Sequence, residues 1–246
     1  MDSTDGGNGL MGAYAGITQW WLTGTDAGRL FLFVKDGLVL WLDAGNVDSY
    51  PGSGTTWTDL SGNGNNGTLT NGPTYSSDDG GSIVFDGSND IVNTSYVSSN
   101  SFTWSVWFKT DVVSSGYRNI ISIPNSNYIL LLLDASTPNL GFWTSDGLSG
   151  QSLSTPTISV DTWYNAVFVR EGNSITGGYK SYLNGVLYGN ANTGTWSTSD
   201  TLSFGGRVND SQYLNGNIAQ VAIYNRALTA AEVLQNFNHL KDRFGI

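Results

Sequence analysis

The stretch Phe102-Thr103-Trp104-Ser105-Val106-Trp107-Phe108-Lys109 decides the fold class. Phe102, Trp104, Val106 and Phe108 fall on one face, and Thr103, Ser105 and Lys109 on the other, with Trp107 the exception. A period of two marks a half-buried β-strand, because successive side chains point to opposite faces of a sheet. Working outward, residues 163–170 and 218–224 read the same way. Residues 128–133 are apolar throughout and read as a strand covered on both faces. In Tyr182-Leu-Asn-Gly-Val-Leu-Tyr188, Asn184-Gly185 can take the positive φ angles of a type I′ turn, which predicts a hairpin.

Composition agrees with strands joined by tight turns. The chain has 246 residues, 32 of them Gly, and only 12% are charged. Aromatic residues reach 13%, including 9 Trp, so there is enough apolar mass for a sizeable core and too much for a disordered chain. One helix is predicted, within about residues 229–241. Thr229 is its N-cap, Glu232 completes a capping box, and Leu228, Val233, Phe237 and Leu240 form an apolar stripe expected to dock on the sandwich edge. The expected architecture is all-β: a two-sheet antiparallel sandwich closed by one short C-terminal helix.

The net charge of −10 with ten Lys and Arg supplies no footprint for a phosphate backbone or an anionic lipid surface. Nucleic acid and membrane are therefore not expected partners. The absence of Cys removes disulfides and thiolate metal sites. The acidic, Gly-rich opening lacks the basic and apolar regions of a secretory signal, and no apolar run is long enough to span a bilayer.

Several stretches, in order, resemble laminin G-like domains of the concanavalin A-like lectin/glucanase type. They are residues 37–43, Trp57-Thr-Asp-Leu-Ser-Gly-Asn-Gly-Asn-Asn-Gly-Thr68, and Ile83-Val-Phe-Asp-Gly-Ser-Asn-Asp90. The middle is matched by Trp163, Val167, Arg170-Glu171-Gly172 and Tyr182-Leu-Asn-Gly185, and the end by Leu214-Asn-Gly-Asn-Ile218 and Ala222-Ile-Tyr-Asn-Arg-Ala-Leu-Thr229. The resemblance covers residues 37–246 and implies a jelly roll. It leaves function open, because lectins, glycanases, adhesion modules and virion proteins share this fold. Residues 232–245 also resemble the end of such domains in bacteriophage virion proteins. What this implies is a non-enzymatic virion surface protein, a head decoration or fibre-associated subunit made in the host cytoplasm. Its partners would be other virion proteins, further copies of itself and host-surface glycans. The alternatives are a carbohydrate-binding lectin-like module and, third, a glycanase.

Glycanases need two carboxylates, one protonating the leaving oxygen and one acting as nucleophile or base. This chain has only Glu171, in an Arg-Glu-Gly turn, and Glu232, in the capping box; Asp86 and Asp90 flank a Gly-Ser-Asn turn. The lone His239 lies in the predicted helix and is read as a solvated or helix-end residue rather than a triad base. Two GxGxxG matches, at residues 7–12 and 62–67, lack the strand–helix context of dinucleotide binding. No catalytic residue is expected.

For sugar stacking the candidates are Trp143, Trp196 and Tyr213, aromatic residues in polar, turn-rich stretches, though Trp and Tyr also anchor sandwich cores. Calcium is the one metal considered. Asp59, Ser61, Asn63 and Asn65 alternate around Gly64, so Asp59 and Asn63 would be the ligands, yet Thr70 stands where a bidentate Glu would close an EF-hand. No cofactor is required. Finally, residues 1–36 precede the resemblance and carry Trp20, Trp21 and Phe31. They are expected either to add strands to their own sandwich or to form an assembly arm against a neighbour.

Overall fold

The strand read first, β7 (Phe102–Thr110), lies in the middle of an eight-stranded antiparallel sheet. The computed structural model describes residues 32–97, 99–113, 116–123, 129–134, 139–144, 156–172, 178–191, 201–207 and 211–246, with 129–134, 142–144 and 191 as backbone alone. Beside β7 run β11 (Tyr164–Arg170), β12 (Tyr179–Leu183) and β13 (Val186–Ala191) on one side. On the other side is β15 (Asn215–Tyr224). The first half of β15 pairs with β5 (Ser82–Asp86), which carries β4 (Thr74–Ser76), and its second half pairs with β1 (Leu38–Asp43). Facing this sheet is a seven-stranded one. Its order is β10 (Asn139–Thr144), β9 (Ile129–Asp134), β8 (Arg118–Ser122), β14 (Thr201–Phe204), β6 (Ile91–Val97), β3 (Gly67–Thr70) and β2 (Thr56–Trp57). The fold is thus a two-sheet antiparallel jelly-roll sandwich with one short C-terminal helix, α1 (Ala230–Leu240).

The core between the sheets takes alternate residues from both. Phe102, Trp104, Val106 and Phe108 of β7 meet Leu69, Val92, Ile121 and Phe204 of the opposite sheet, all buried. The hairpin forms as the sequence predicts, with Asn184 at φ 49° and Gly185 at φ 76°. Apart from Lys109, however, β7 is buried on both faces, not half-buried as its alternation suggests. The second face is covered by the C-terminal segment. Phe244 stacks on Trp107 at 4.3 Å between ring centroids, and Phe237 stacks on it at 5.7 Å. Trp107 breaks the alternation because it lies under a second hydrophobic layer.

The helix begins as its capping box requires. Thr229 Oγ1 accepts from the Glu232 backbone N–H, and the Glu232 carboxylate accepts from the Thr229 N–H. It docks on the outer face of the eight-stranded sheet rather than on the sandwich edge. Val233 packs with Val167, Val169, Tyr182, Ala222 and Tyr224, which project from β11, β12 and β15. A 3₁₀ turn, Lys241–Phe244, continues the helix and brings Arg243 to β1.

Residues 31–246 form one unit and residues 1–30 another, which lies outside the described residues. Within the former, packing starts upstream of Gly37. Phe33 stacks on Trp41, the Val34 N–H donates to Asn236 Oδ1, and Tyr224 donates its hydroxyl to the Val34 carbonyl. Phe33 and Val34 are therefore part of the sandwich, although they fall within the segment set apart on sequence.

Candidate functional site

While α1 packs on the outer face of the eight-stranded sheet, the opposite outer face of the sandwich belongs to the seven-stranded sheet. The pairing register of the seven-stranded sheet aligns Thr56, Thr68, Asn93, Ser203, Ser122, Leu130 and Trp143 in one row crossing all seven strands. The neighbouring row, Leu69, Val92, Phe204 and Ile121, is core. Strand alternation therefore places the described side chains of the first row on the outer face. Six strand spacings of about 4.8 Å make it roughly 29 Å long.

The described side chains of the row are hydroxyls and one amide. Thr56, Thr68 and Asn93 are exposed, with Asn93 Nδ2 donating to Thr70 Oγ1 at 3.2 Å. Towards the middle, the described ends of the connection between β14 and β15 fold over the face. They are pinned by Gly205 N–H to the Ile120 carbonyl and Leu214 N–H to the Gly205 carbonyl. Ser122 and Ser203 are consequently buried. The Ser122 hydroxyl donates to the Gly206 carbonyl at 2.7 Å, so in the 2.9 Å contact between the two hydroxyls Ser203 is the donor. One row away, Asn119 Nδ2 donates to Gln212 Oε1 at 3.0 Å, while buried Asn119 Oδ1 has no partner among the described residues. Gly205 makes the crossing feasible. Its φ is 80°, and a Cβ there would sit 2.1 Å from Phe85 Cε1.

Carboxylates are placed elsewhere. The seven strands contain no Glu, and their one Asp is Asp134, the last residue of β9. Asp86 and Asp90 close the turn after β5: Asp90 Oδ2 accepts from the Asp86 N–H and Asp86 Oδ1 from the Ser88 N–H. Burial pushes the Asp90 carboxyl above its ordinary range, and the Asp86 charge pushes it further. Glu171 pairs with Lys180 at the surface. Glu232 is held down to about 2, chiefly by its hydrogen bond from Arg226 and also by Thr229.

The sequence candidates fare differently. Trp143 occupies the β10 end of the register row, and its side chain lies outside the described residues, as do Trp196, Trp20, Trp21 and Phe31. Tyr213 is 8% exposed, and its ring rests so close to Gly206 that a Cβ there would approach Tyr213 Cδ1 to 2.4 Å. It is a packing residue of the crossing loop itself rather than an open platform. Asp59 and Asn63 do come together, through Ser61: Asn63 Nδ2 donates to Ser61 Oγ, which donates to Asp59 Oδ2. The Asp59 carboxylate also accepts from the Trp41, Ser61 and Asn65 N–H groups. Four donors thus fill the oxygens a cation would need. Among the described residues, no three His, Cys, Asp or Glu side chains are grouped to hold a metal, and no helix is long and apolar enough to cross a membrane. Sequence reading missed Thr68 and Asn93, which the alternation of residues 91–97 could have revealed. It also missed Ser122 and Ser203, which nothing local marks.

The family model described as the concanavalin A-like lectin/glucanases superfamily matches residues 85–234. The chain belongs to this superfamily. No curated protein matches it significantly. Among solved structures, this lectin/glucanase-like sandwich is similar to domain 4 of a GH43 extracellular arabinanase from Geobacillus stearothermophilus, in complex with arabinotriose. The TM-score is 0.65 and the identity 21%, covering 81% of this chain and 97% of that one. It is also similar to Trypanosoma rangeli sialidase in complex with sialic acid, with TM-score 0.63, 13% identity, 85% of this chain and 34% of that one. A third is the binding domain of Paraclostridial Mosquitocidal Protein 1, with TM-score 0.64, 19% identity, 83% of this chain and 52% of that one. The superfamily member thus spans about a third of the sialidase and about half of the toxin's binding domain. At these identities the likeness is one of fold.

Proposed function

We propose that this chain is a non-catalytic module that binds uncharged glycans on the outer face of its seven-stranded sheet. The observation that carries the reading is the row of neutral hydroxyl and amide side chains across that face, with Asp134 at a strand end the one acid in its strands. Such groups exchange hydrogen bonds with sugar hydroxyls, whereas glycoside hydrolysis needs two convergent carboxylates. The superfamily and the arabinotriose bound to the similar arabinanase domain support the ligand class. The test is titration calorimetry against a panel of neutral oligosaccharides, with Asn93→Ala and Thr68→Val. A ligand whose affinity falls about five-fold or more in both variants, at unchanged melting temperature, is the expected result. Binding that ignores both substitutions, or no binding across the panel, overturns it. Sugar release abolished by Asp86→Asn or Asp90→Asn would overturn the non-catalytic part.

The resemblance of residues 232–245 to bacteriophage virion proteins supports display of this module on a virion surface. There its neighbours are other virion proteins and further copies of itself, with the part of residues 1–36 that precedes Phe33 as the arm that contacts them, since Phe33 and Val34 pack in the sandwich. Mass spectrometry of purified particles tests this, and absence of the chain from them refutes it.

A further inference from the structure

Six Asn–Gly pairs occur in the chain, at residues 8–9, 63–64, 66–67, 71–72, 184–185 and 215–216. A glycine after asparagine leaves its backbone nitrogen unshielded by a Cβ, so it can reach the preceding side-chain amide if the local chain can rearrange. The five described pairs differ in how closely their surroundings hold them. Asn184 Oδ1 is tied to the Asn165 N–H at 2.9 Å, and a Cβ on Gly185 would lie 3.0 Å from Leu234. Gly216 lies within β15, with the Lys109 carbonyl 2.2 Å from its Cβ position. Asn66 Oδ1 accepts from the Asp59 N–H at 2.9 Å, and Gly67 is packed in β3 against Val92. Asn71 and Gly72 are exposed, but the Asn71 amide is held by the Asn89 carbonyl at 2.9 Å and Asp90 Oδ1 lies 3.7 Å from the Gly72 Cβ position.

Asn63 and Gly64 are both exposed. The Cβ positions of Gly62 and Gly64, on either side of Asn63, have no heavy atom within 4 Å. The Asn63 amide is held by Ser61 Oγ at 3.0 Å and, more loosely, by the Leu38 carbonyl at 3.3 Å. This pair therefore combines a reactive dipeptide with the most open surroundings of the five.

We propose that Asn63–Gly64 is a site of spontaneous covalent modification, the one that deamidates first in the folded protein. The Gly64 backbone nitrogen attacks Asn63 Cγ, and a bond forms between them as the Cγ–Nδ2 bond breaks. The proton lost by the Gly64 nitrogen ends on the departing nitrogen, which leaves as ammonia. Water then opens the five-membered succinimide at either carbonyl, leaving aspartate or isoaspartate, with no change of oxidation state. The product loses the amide donor to the Leu38 carbonyl and sets a new carboxylate beside Ser61 and Asp59. The two carboxylates would flank one Ser61 hydroxyl and repel each other, so the modified chain should melt at lower temperature.

The experiment is incubation of the full chain in mildly alkaline buffer, with peptide mapping by mass spectrometry over time, natively and in urea. The expected result is a one-dalton gain placed at Asn63 by fragment ions, at least about five-fold faster than at the asparagines of the other four pairs, because reaction follows local opening. In urea the difference should shrink. Asn63→Gln should remove the fast phase and the accompanying fall in melting temperature. Equal rates natively, a faster reaction at Asn71, or an unchanged rate ratio with and without urea would overturn the proposal.

Discussion

Replacing Arg243 with alanine should destabilise the sandwich by about 2–4 kcal/mol. Its guanidinium serves three acceptors on two segments: Asp43 Oδ1 at 2.7 Å, the Gly81 carbonyl at 2.6 Å and the Asp79 carbonyl at 3.2 Å. The Arg243 and Asp43 side chains are 18% and 11% exposed, so the pair is largely withdrawn from water. Removing one partner of a buried pair costs about 3–5 kcal/mol, because the other is left desolvated and unpaired. Two features lower that figure here. Asp43 Oδ1 keeps the Gly45 N–H, and Asp79 is exposed, so water can reach its carbonyl once the arginine is gone. At about 2–4 °C per kcal/mol for a domain of this size, the melting temperature should fall by about 5–15 °C in one transition. Arg243→Lys should recover less than half of the loss, since an ammonium cannot span three divergent acceptors as a planar fork does. Thermal and urea melts read both numbers, and a double-mutant cycle with Asp43→Asn isolates the pair. A loss below about 1 kcal/mol, or full rescue by lysine, would refute the view that this arginine clasps the C-terminal turn to β1.

Three further outcomes are expected. Gly205→Ala should cost about 2–5 kcal/mol by denaturant melts, because the residue sits at φ 80° and the new methyl would collide with the ring of fully buried Phe85. Glu232, held at about 2 in the folded chain and near 4.3 when unfolded, contributes stability that is complete above its unfolded value and lost as pH falls from about 4.5 to about 2. With its side chain 26% exposed, that contribution is about 1–2 kcal/mol, and Glu232→Gln should flatten this part of the pH profile of melting temperature. Because four protein donors already occupy the Asp59 carboxylate, calcium and EDTA should give the same melting temperature within about 1 °C; a clear rise with calcium would show a site that the described geometry lacks.

What could be read from sequence was what short-range pattern controls. The two-residue period placed β7, the Asn184-Gly185 pair placed a hairpin, and Thr229 with Glu232 placed a helix start, because each depends on residues within a turn or strand of one another. The helix's destination was not legible. An apolar stripe says that Val233 will be buried, yet does not choose between an edge and a face. The choice was made by Ala222, Val167 and Val169, whose small or β-branched side chains leave a shallow apolar face on β15 and β11. Trp107 was the one advance sign. A large aromatic at a position reserved for solvent meant that something had to cover it, and Phe244, 137 positions later in the chain, does.

Aromatic residues in polar stretches are poor markers of an open site in this fold. Tyr213 looked like a platform because its neighbours in sequence are polar, but burial depends on what the chain folds over. The loop between β14 and β15 folds over its own sheet, turning Tyr213 inward against Gly206. That crossing also buries Ser122 and Ser203, which stand 81 positions apart and meet only through the β8–β14 pairing. Their hydroxyls are spent on each other and on Gly206, so in the described part of the row the capacity to bind falls to Thr56, Thr68 and Asn93. Within that described part, a ligand would therefore lie towards β2, β3 and β6. Substitutions there should alter binding and leave folding intact, while substitutions at Ser122 or Ser203 should do the reverse.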